Sequence, residues 1–102
     1  MAAVAVLCPD LLFGSKLESA LRDAGHEVLP ADADADLLIV DLTTDADARI
    51  QQTADAAPPR LGFYSHVEQD VRRRAEAAGF RRVVPRSRMA REAALLVDST
   101  LG

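Results

Sequence analysis

The most apolar run of the chain, residues 37–40, is followed directly by an acid, Asp41. Consecutive large aliphatic residues are typical of a parallel strand buried on both faces. In open sheets that alternate strands with helices, ligands and reactive groups gather at the carboxyl ends of the strands. Two more strand-like runs also end in polar residues, Ser65 and Arg86. We therefore expect an acid, a hydroxyl and a cation to share one rim of a sheet.

Length and composition favour one globular domain, residues 1–102. The hydrophobic fraction of 49% is sufficient for a packed core. The only cysteine, Cys8, excludes an internal disulfide and fits a reducing compartment. No apolar stretch approaches the roughly 20 residues that cross a bilayer, and residues 1–7 read as a first strand rather than a signal peptide. The sequence predicts a soluble cytoplasmic protein, and its Ala- and Arg-rich, Lys-poor composition suggests a bacterial one.

Charge is distributed unevenly along the chain. Residues 1–59 contain three Lys/Arg and eleven Asp/Glu, whereas residues 60–102 contain nine Arg and five Asp/Glu. The two parts therefore have opposite net charge, which favours head-to-tail self-association or docking on an acidic partner. Solvated helix faces are the plainer interpretation. The overall charge of −4 argues against nonspecific nucleic-acid binding, since such binding needs a surface that neutralises phosphates.

Strand-like and helix-like segments alternate. The strands are predicted at residues 3–7, 27–29, 37–42, 61–64 and 80–85. Helices are predicted at residues 11–24, 46–56, 67–78 and 88–101, the second capped by Thr44 or Asp45. The alternation predicts a five-stranded, doubly wound parallel α/β sheet with right-handed crossovers. Periodicity directs two sets of side chains inward: Val67, Val71, Ala75 and Ala78 in the third helix, and Met89, Ala93, Leu96 and Val97 in the last.

Two segments resemble the receiver domain of bacterial response regulators. Residues 77–87 are similar to the receiver's Ala-Gly-Ala turn, fifth strand and basic residue, and residues 36–42 are similar to the strand that carries the phosphoacceptor aspartate. The resemblance covers essentially the whole chain. It implies a flavodoxin-like fold with strand order 2-1-3-4-5 and a role in signal transduction.

The resemblance also assigns the rim residues. Asp41 takes the phosphoacceptor position, Ser65 the Ser/Thr switch, and Arg86 the position of the family's lysine. The positions of the family's paired acids are occupied by Cys8 and Pro9, and Asp10 lies just beyond them.

The paired acids are the main departure from the family. Receivers hold Mg²⁺ with these acids and the acceptor aspartate, because Mg²⁺ prefers oxygen ligands and neutralises the phosphoryl group during transfer. Cys8 is a soft thiol and Pro9 has no side-chain ligand. We therefore expect no metal or cofactor, and we expect Asp41 to pair with Arg86 or to cap the turn after its strand. The plainer interpretation of Cys8 is a small core residue.

A second departure is the connector between the second and third strands. Receivers have a helix there, whereas only residues 30–36 are available, and a parallel crossover usually takes a dozen or more residues. The sequence predicts that this helix is shortened or missing. One face of the sheet would then be thinly covered, which favours a partner or a second copy.

These features lead to three hypotheses. In the first, the protein is a degenerate, non-enzymatic receiver that signals by binding protein, as a homodimer, through a basic surface formed by Arg81, Arg82, Arg88 and Arg91. In the second, Asp41 accepts phosphoryl with Mg²⁺ recruited by Asp10. In the third, Ser65, His66 and Arg86 bind a small anion or nucleotide at the rim; the plainer role of His66 is to cap the following helix.

Overall fold

Strands and helices alternate along the chain with one exception, between the second and third strands. The structure is a computed structural model and describes residues 1–102. Its elements, in chain order, are β1 (Ala3–Leu7), α1 (Leu11–Asp23), β2 (Glu27–Pro30), β3 (Leu37–Asp41), α2 (Ala46–Gln52), β4 (Arg60–Tyr64), α3 (Gln69–Ala77), β5 (Arg82–Pro85) and α4 (Arg86–Leu101). None of the helices combines the length and apolar character needed to cross a membrane.

All five strands are parallel and form one sheet in the order β2-β1-β3-β4-β5. This confirms the predicted fold class and strand order. β3 is the central strand of the sheet, and every one of its residues, including the terminal Asp41, is buried. Asp41 pairs in register with Phe63 of β4, so the acid lies at the carboxyl edge of the sheet.

Helices cover both faces of the sheet. On one face α1 and α4 pack over a core that includes Leu21, Phe63 and Leu96. On the other face α2 and α3 pack over a second cluster. The four residues predicted to point inward from the last helix are all buried: Met89, Ala93, Leu96 and Val97.

Several predicted boundaries are wrong. The α3 helix begins at Gln69 rather than at residue 67, because residues 65–68 form a turn in which the Glu68 N–H donates to the Ser65 carbonyl at 2.8 Å. Val67 is consequently 74% exposed, so its predicted inward position is wrong. Ala78, beyond the end of the helix, is also exposed.

Three other elements also differ in extent from the prediction. The α4 helix begins at residue 86, directly after β5, and β5 itself omits residues 80–81. The α2 helix ends at Gln52, four residues early. Asp45 is its N-cap, but its φ of 48° is left-handed and its side chain makes no capping hydrogen bond.

The connector between β2 and β3 contains no helix, as predicted. Because β1 lies between these strands, the connector (residues 31–36) crosses β1 on the face that α2 and α3 cover. Asp36 fixes it there: its Oδ2 accepts from the Ala3 N–H at 2.9 Å, and its own N–H donates to the Ala3 carbonyl at 2.8 Å. Two hydrogen bonds to Ala3 therefore anchor the connector to the start of β1.

Candidate functional site at the carboxyl edge of the sheet

Four of the residues predicted to lie at the rim line one cavity. It has a volume of about 690 Å³ and lies beyond the carboxyl ends of β3, β4 and β5. Its polar lining includes Asp10, Ser65, His66 and Arg86, all identified from the sequence, together with Thr43, Thr44 and Ser87. Asp41 and Cys8 do not line it. The structure therefore brings the predicted cation and hydroxyl together but separates the predicted acceptor from them.

Asp41 is a buried, fully engaged carboxylate. It is 2% exposed. Its Oδ1 accepts from the Thr43 N–H at 2.8 Å and from the Thr43 Oγ1–H at 2.6 Å, and its Oδ2 accepts from the Cys8 Sγ–H at 3.5 Å. Thr43 was not identified by sequence reasoning, although an aspartate two residues before a threonine is a recognisable turn signal. The acid caps the turn that follows β3, which was one of the two roles expected for it.

Arg86 does not pair with Asp41, and that prediction is wrong. Its guanidinium lies 3.3 Å from Asp10 Oδ2 and stacks on the Phe13 ring, with Cζ 4.5 Å from the ring centroid. Thr43 has already satisfied the buried Asp41, whereas Asp10 is half-exposed at the start of α1. The cation therefore pairs with the acid that reaches solvent.

Asp10 is the N-cap of α1. Its Oδ1 accepts from the Phe13 N–H at 3.0 Å, which satisfies one of the free donors of the first turn. With Oδ2 bonded to Arg86, both carboxylate oxygens have partners within the chain. The residue therefore faces the cavity mouth and the helix rather than the interior.

Cys8 is a half-buried thiol held between two oxygens, the Asp10 carbonyl and Asp41 Oδ2, each 3.5 Å from Sγ. A thiol has one proton and can donate to only one of them at a time. Burial, and then the negative charge of Asp41, raise the pKa of Cys8 to about 11. The sulfur is therefore protonated at neutral pH, which makes it a poor nucleophile and a poor metal ligand.

The donors present do not fit the Mg²⁺ of a receiver. That ion takes hard oxygen ligands in near-octahedral geometry. The positions of the paired acids are occupied by the protonated thiol of Cys8 and by Pro9. Asp41 accepts hydrogen bonds from Thr43 on one oxygen and from the Cys8 thiol on the other. No group of three His, Cys, Asp or Glu side chains is arranged to hold a metal ion. The donor set at this edge is therefore that of a hydrogen-bonded turn rather than of a magnesium site.

Ser65 and His66 belong to the turn that precedes α3. The Ser65 carbonyl accepts from the Glu68 N–H at 2.8 Å, and the His66 carbonyl accepts from Gln69 Nε2 at 2.9 Å. His66 does not cap α3, because the N-cap is Glu68 and makes no side-chain capping bond. Both side chains line the cavity together with Arg86.

The four arginines of the predicted partner surface separate into two pairs. Arg81 donates to the Thr100 carbonyl at 3.3 Å and Arg82 to Ser99 Oγ at 3.0 Å, both at the end of α4. Arg88 and Arg91 lie 3.4 and 3.7 Å from Glu92 Oε2, near its start. The backbone between Arg88 and Ser99 includes a kink at Glu92, whose φ of −130° and ψ of 28° are not helical. The two pairs therefore lie towards opposite ends of α4 rather than forming one cluster.

The fold has close counterparts among solved structures. NtrX from Brucella abortus in complex with ADP superposes with a TM-score of 0.83 at 18% identity over 98% of this chain. A response regulator receiver protein from Burkholderia phymatum superposes with a TM-score of 0.80 at 20% identity, covering 100% of this chain and 96% of that one. A response regulator from Thermotoga maritima gives 0.79 at 14% identity, covering 97% and 96%.

The match to NtrX covers only 26% of that protein, so this chain spans about a quarter of its length. No family model and no curated protein matches the sequence. The likeness is therefore one of structure, and it agrees with the strand order and with the position of Asp41 at the carboxyl edge. The chain has the fold of a response-regulator receiver domain, with the helix between β2 and β3 absent.

Proposed function

We propose that this protein is a receiver-like signalling module that acts by binding protein and does not accept a phosphoryl group. The observation that carries the proposal is the state of Asp41, which is 2% exposed and has hydrogen-bond partners on both oxygens. Phosphoryl transfer needs an accessible nucleophilic oxygen and positive charge on the phosphoryl oxygens. Asp41 has neither, since the nearest cation of the rim, Arg86, is paired with Asp10.

The same contacts account for a non-enzymatic role. A phosphoryl donor entering the cavity would meet Arg86, His66 and Ser65 but no free carboxylate aimed at it. The Thr43 bonds to Asp41 would have to break before attack, and the Cys8 thiol would have to move from the other oxygen. The acid thus stabilises the fold rather than performing chemistry.

The proposed contact surface is the exposed side of α4. Arg88 and Arg91 lie on this helix, and Leu95, four residues after Arg91, is 61% exposed. An exposed aliphatic residue and two guanidinium groups on one helix are a composition suited to protein interfaces, in which arginine is enriched. We propose that two copies pair through this side of α4 as a homodimer.

Intact-mass spectrometry tests the first part. After incubation with a small-molecule phosphodonor and Mg²⁺, we expect no species heavier by about 80 Da. The Asp41→Asn variant is the control for phosphorylation elsewhere. A gain in mass that this variant loses would establish Asp41 as a phosphoacceptor and refute the proposal.

Size-exclusion chromatography with light scattering at two concentrations tests the dimer. The double variant Arg88→Glu, Arg91→Glu should be monomeric. Its matched control, Arg72→Glu with Arg73→Glu, makes the same change in net charge on α3 and should remain dimeric. A wild-type monomer at both concentrations would reject the proposed interface.

A second candidate function is noncovalent binding of a small anion. The cavity holds Arg86, His66 and Ser65 and opens on the start of α4, whose N-cap, Pro85, provides no side-chain acceptor. A guanidinium, an imidazole and a hydroxyl are donors that suit a small anion. Thermal-shift measurements with phosphate, pyrophosphate and ADP test this function. It requires stabilisation that Arg86→Met abolishes, and no shift with any of the three would reject it.

A further inference from the structure

A second cavity lies beside the connector, away from the rim. It has a volume of about 560 Å³ and runs over β1 and β3 on the face of α2 and α3. The connector forms one wall and residues 52–58, which lead from α2 into β4, form the other. Leu7 and Leu38 form its floor. We call this cavity the connector groove.

The connector groove occupies space that the crossover leaves uncovered. A crossover between parallel strands ordinarily provides a helix that packs on the sheet. Here six residues cross instead, so Leu7 is only half-buried although it packs against the second core cluster. The groove is therefore a partly apolar depression beside α2, between the connector and the segment that follows α2.

The rim of the connector groove is acidic. Asp32, Asp34 and Asp55 line it, and none of them takes part in an ion pair within the chain. No Lys, Arg or His lines the groove. Asp47 of the neighbouring α2 helix shows the contrast, since it is paired with Arg74 at 2.8 Å. Unpaired carboxylates around an apolar floor are complementary to an apolar surface flanked by cations.

We propose that the connector groove binds a helix of a partner protein, one with an apolar stripe flanked by Lys or Arg residues. The stripe would lie over the partly exposed Leu7, since Leu38 is already buried, and the flanking cations would meet Asp32 and Asp34 on one wall and Asp55 on the other. This is the groove mode of helix recognition. The proposal is independent of the α4 interface, which lies on the other face of the sheet.

The geometry disfavours a second copy as the occupant. The groove and α4 lie on opposite faces, so insertion of α4 into the groove of another copy would be head-to-tail and would give a ring or an open chain rather than a reciprocal dimer. The α3 helix does share the face of the groove, but its arginines are already paired: Arg72 with Glu76, Arg73 with Asp70, and Arg74 with Asp47. The α3 arginines are therefore not free cations for the groove of another copy.

Fluorescence anisotropy with a synthetic peptide tests the proposal. The probe is a labelled helix of about 14 residues, roughly 21 Å long, with Leu at i, i+3, i+4 and i+7 positions and Lys on both flanks. A scrambled peptide of the same composition lacks the stripe. The groove variant is Asp32→Asn, Asp34→Asn, Asp55→Asn. The matched control, Asp23→Asn, Glu27→Gln, Glu68→Gln, removes the same charge from acids that do not line the groove.

The groove variant should raise the Kd of the striped peptide about tenfold, as expected for three rim charges, while the control variant should change it less than about twofold. The scrambled peptide should bind more weakly to all three proteins. The Arg88→Glu, Arg91→Glu variant should bind the striped peptide normally, so that failure of the dimer proposal and failure of this one are distinguishable.

Three results would overturn the proposal: no binding of the striped peptide below about 1 mM, equal weakening by the groove and control variants, or equal binding of the scrambled peptide. A change in the protein's own oligomeric state in the groove variant would also overturn it, because the occupant would then be a second copy.

Discussion

Substitution of Asp10 separates the two contacts that this residue makes, because Asn can replace Asp as an N-cap but cannot form an ion pair. Asp10→Asn should retain the bond to the Phe13 N–H and lose the ion pair with Arg86, including its 3.3 Å hydrogen bond. Both partners are nearly half-exposed, so this loss is discounted for solvent to about 0.5 kcal/mol. Asp10→Ala loses the cap as well, which adds about 1 kcal/mol.

Urea unfolding followed by circular dichroism measures both changes. With a slope of about 1.5 kcal/mol per M, the midpoint should fall by about 0.3 M for Asp10→Asn and about 1 M for Asp10→Ala. Raising NaCl to about 0.5 M should nearly remove the first difference and leave most of the second, since a hydrogen bond is screened less than an exposed pair. Glu18→Gln, which breaks the exposed Arg22–Glu18 pair in the same helix, is the control and should resemble Asp10→Asn. Equal midpoints for the Asn and Ala variants would refute the capping role.

Three further outcomes are expected. Asp41→Ala should lower the free energy of unfolding by about 2–3 kcal/mol, because it leaves the Thr43 donors unpaired, whereas Asp41→Asn keeps an acceptor and should cost about 1 kcal/mol or less. Urea unfolding measures both changes, and equal losses would contradict the assigned hydrogen bonds. With its pKa near 11, Cys8 should react with iodoacetamide about tenfold faster per pH unit between pH 7 and pH 10. Asp41→Asn should accelerate the reaction at pH 7, because it removes the negative charge that raises the pKa of Cys8. A reaction rate that does not change with pH would contradict this. Gly62→Ala should destabilise the fold by about 1–3 kcal/mol, because its Cβ would lie 2.8 Å from Leu42 Cδ1 and 3.0 Å from Phe80 Cδ2. The control Gly14→Ala lies in a helix, where the nearest atom would be 3.6 Å from the new Cβ, and should stabilise the fold. Thermal melts in which both variants shift in the same direction would refute the packing argument.

The fold was predictable from the sequence because its strongest signals are local. The aliphatic run before Asp41 has the character of a buried strand, and the few residues after Pro30 could not hold a helix. The positions of Ser65 and Arg86 at one edge followed from the parallel topology. Each of these inferences depends on local composition or on the order of the elements along the chain, and both can be read from the sequence.

The partners within the site were not predictable in the same way. Whether Arg86 reaches Asp41 or Asp10 depends on which carboxylate has spare acceptor capacity, and that was decided by Thr43, whose hydroxyl lies 2.6 Å from Asp41. The start of α3 was missed because a turn at residues 65–68 uses residues that also fit a helix. The separation of the arginines along α4 depends on how β5 meets the helix end, for which the sequence has no signal.

The short connector has little slack. Pro30 lies level with Val6 of β1 and Leu37 lies level with Val4, so the connector must span two strand spacings and return by two residues, a diagonal of about 12 Å before the detour over β1 is added. Seven virtual bonds can reach about 24 Å when fully extended. A deletion of two residues would lower that reach to about 17 Å and leave about 5 Å for the detour over β1, whereas an insertion would cost only a few tenths of a kcal/mol in loop entropy. A longer bridge is therefore accommodated more readily than a shorter one at this point of the chain.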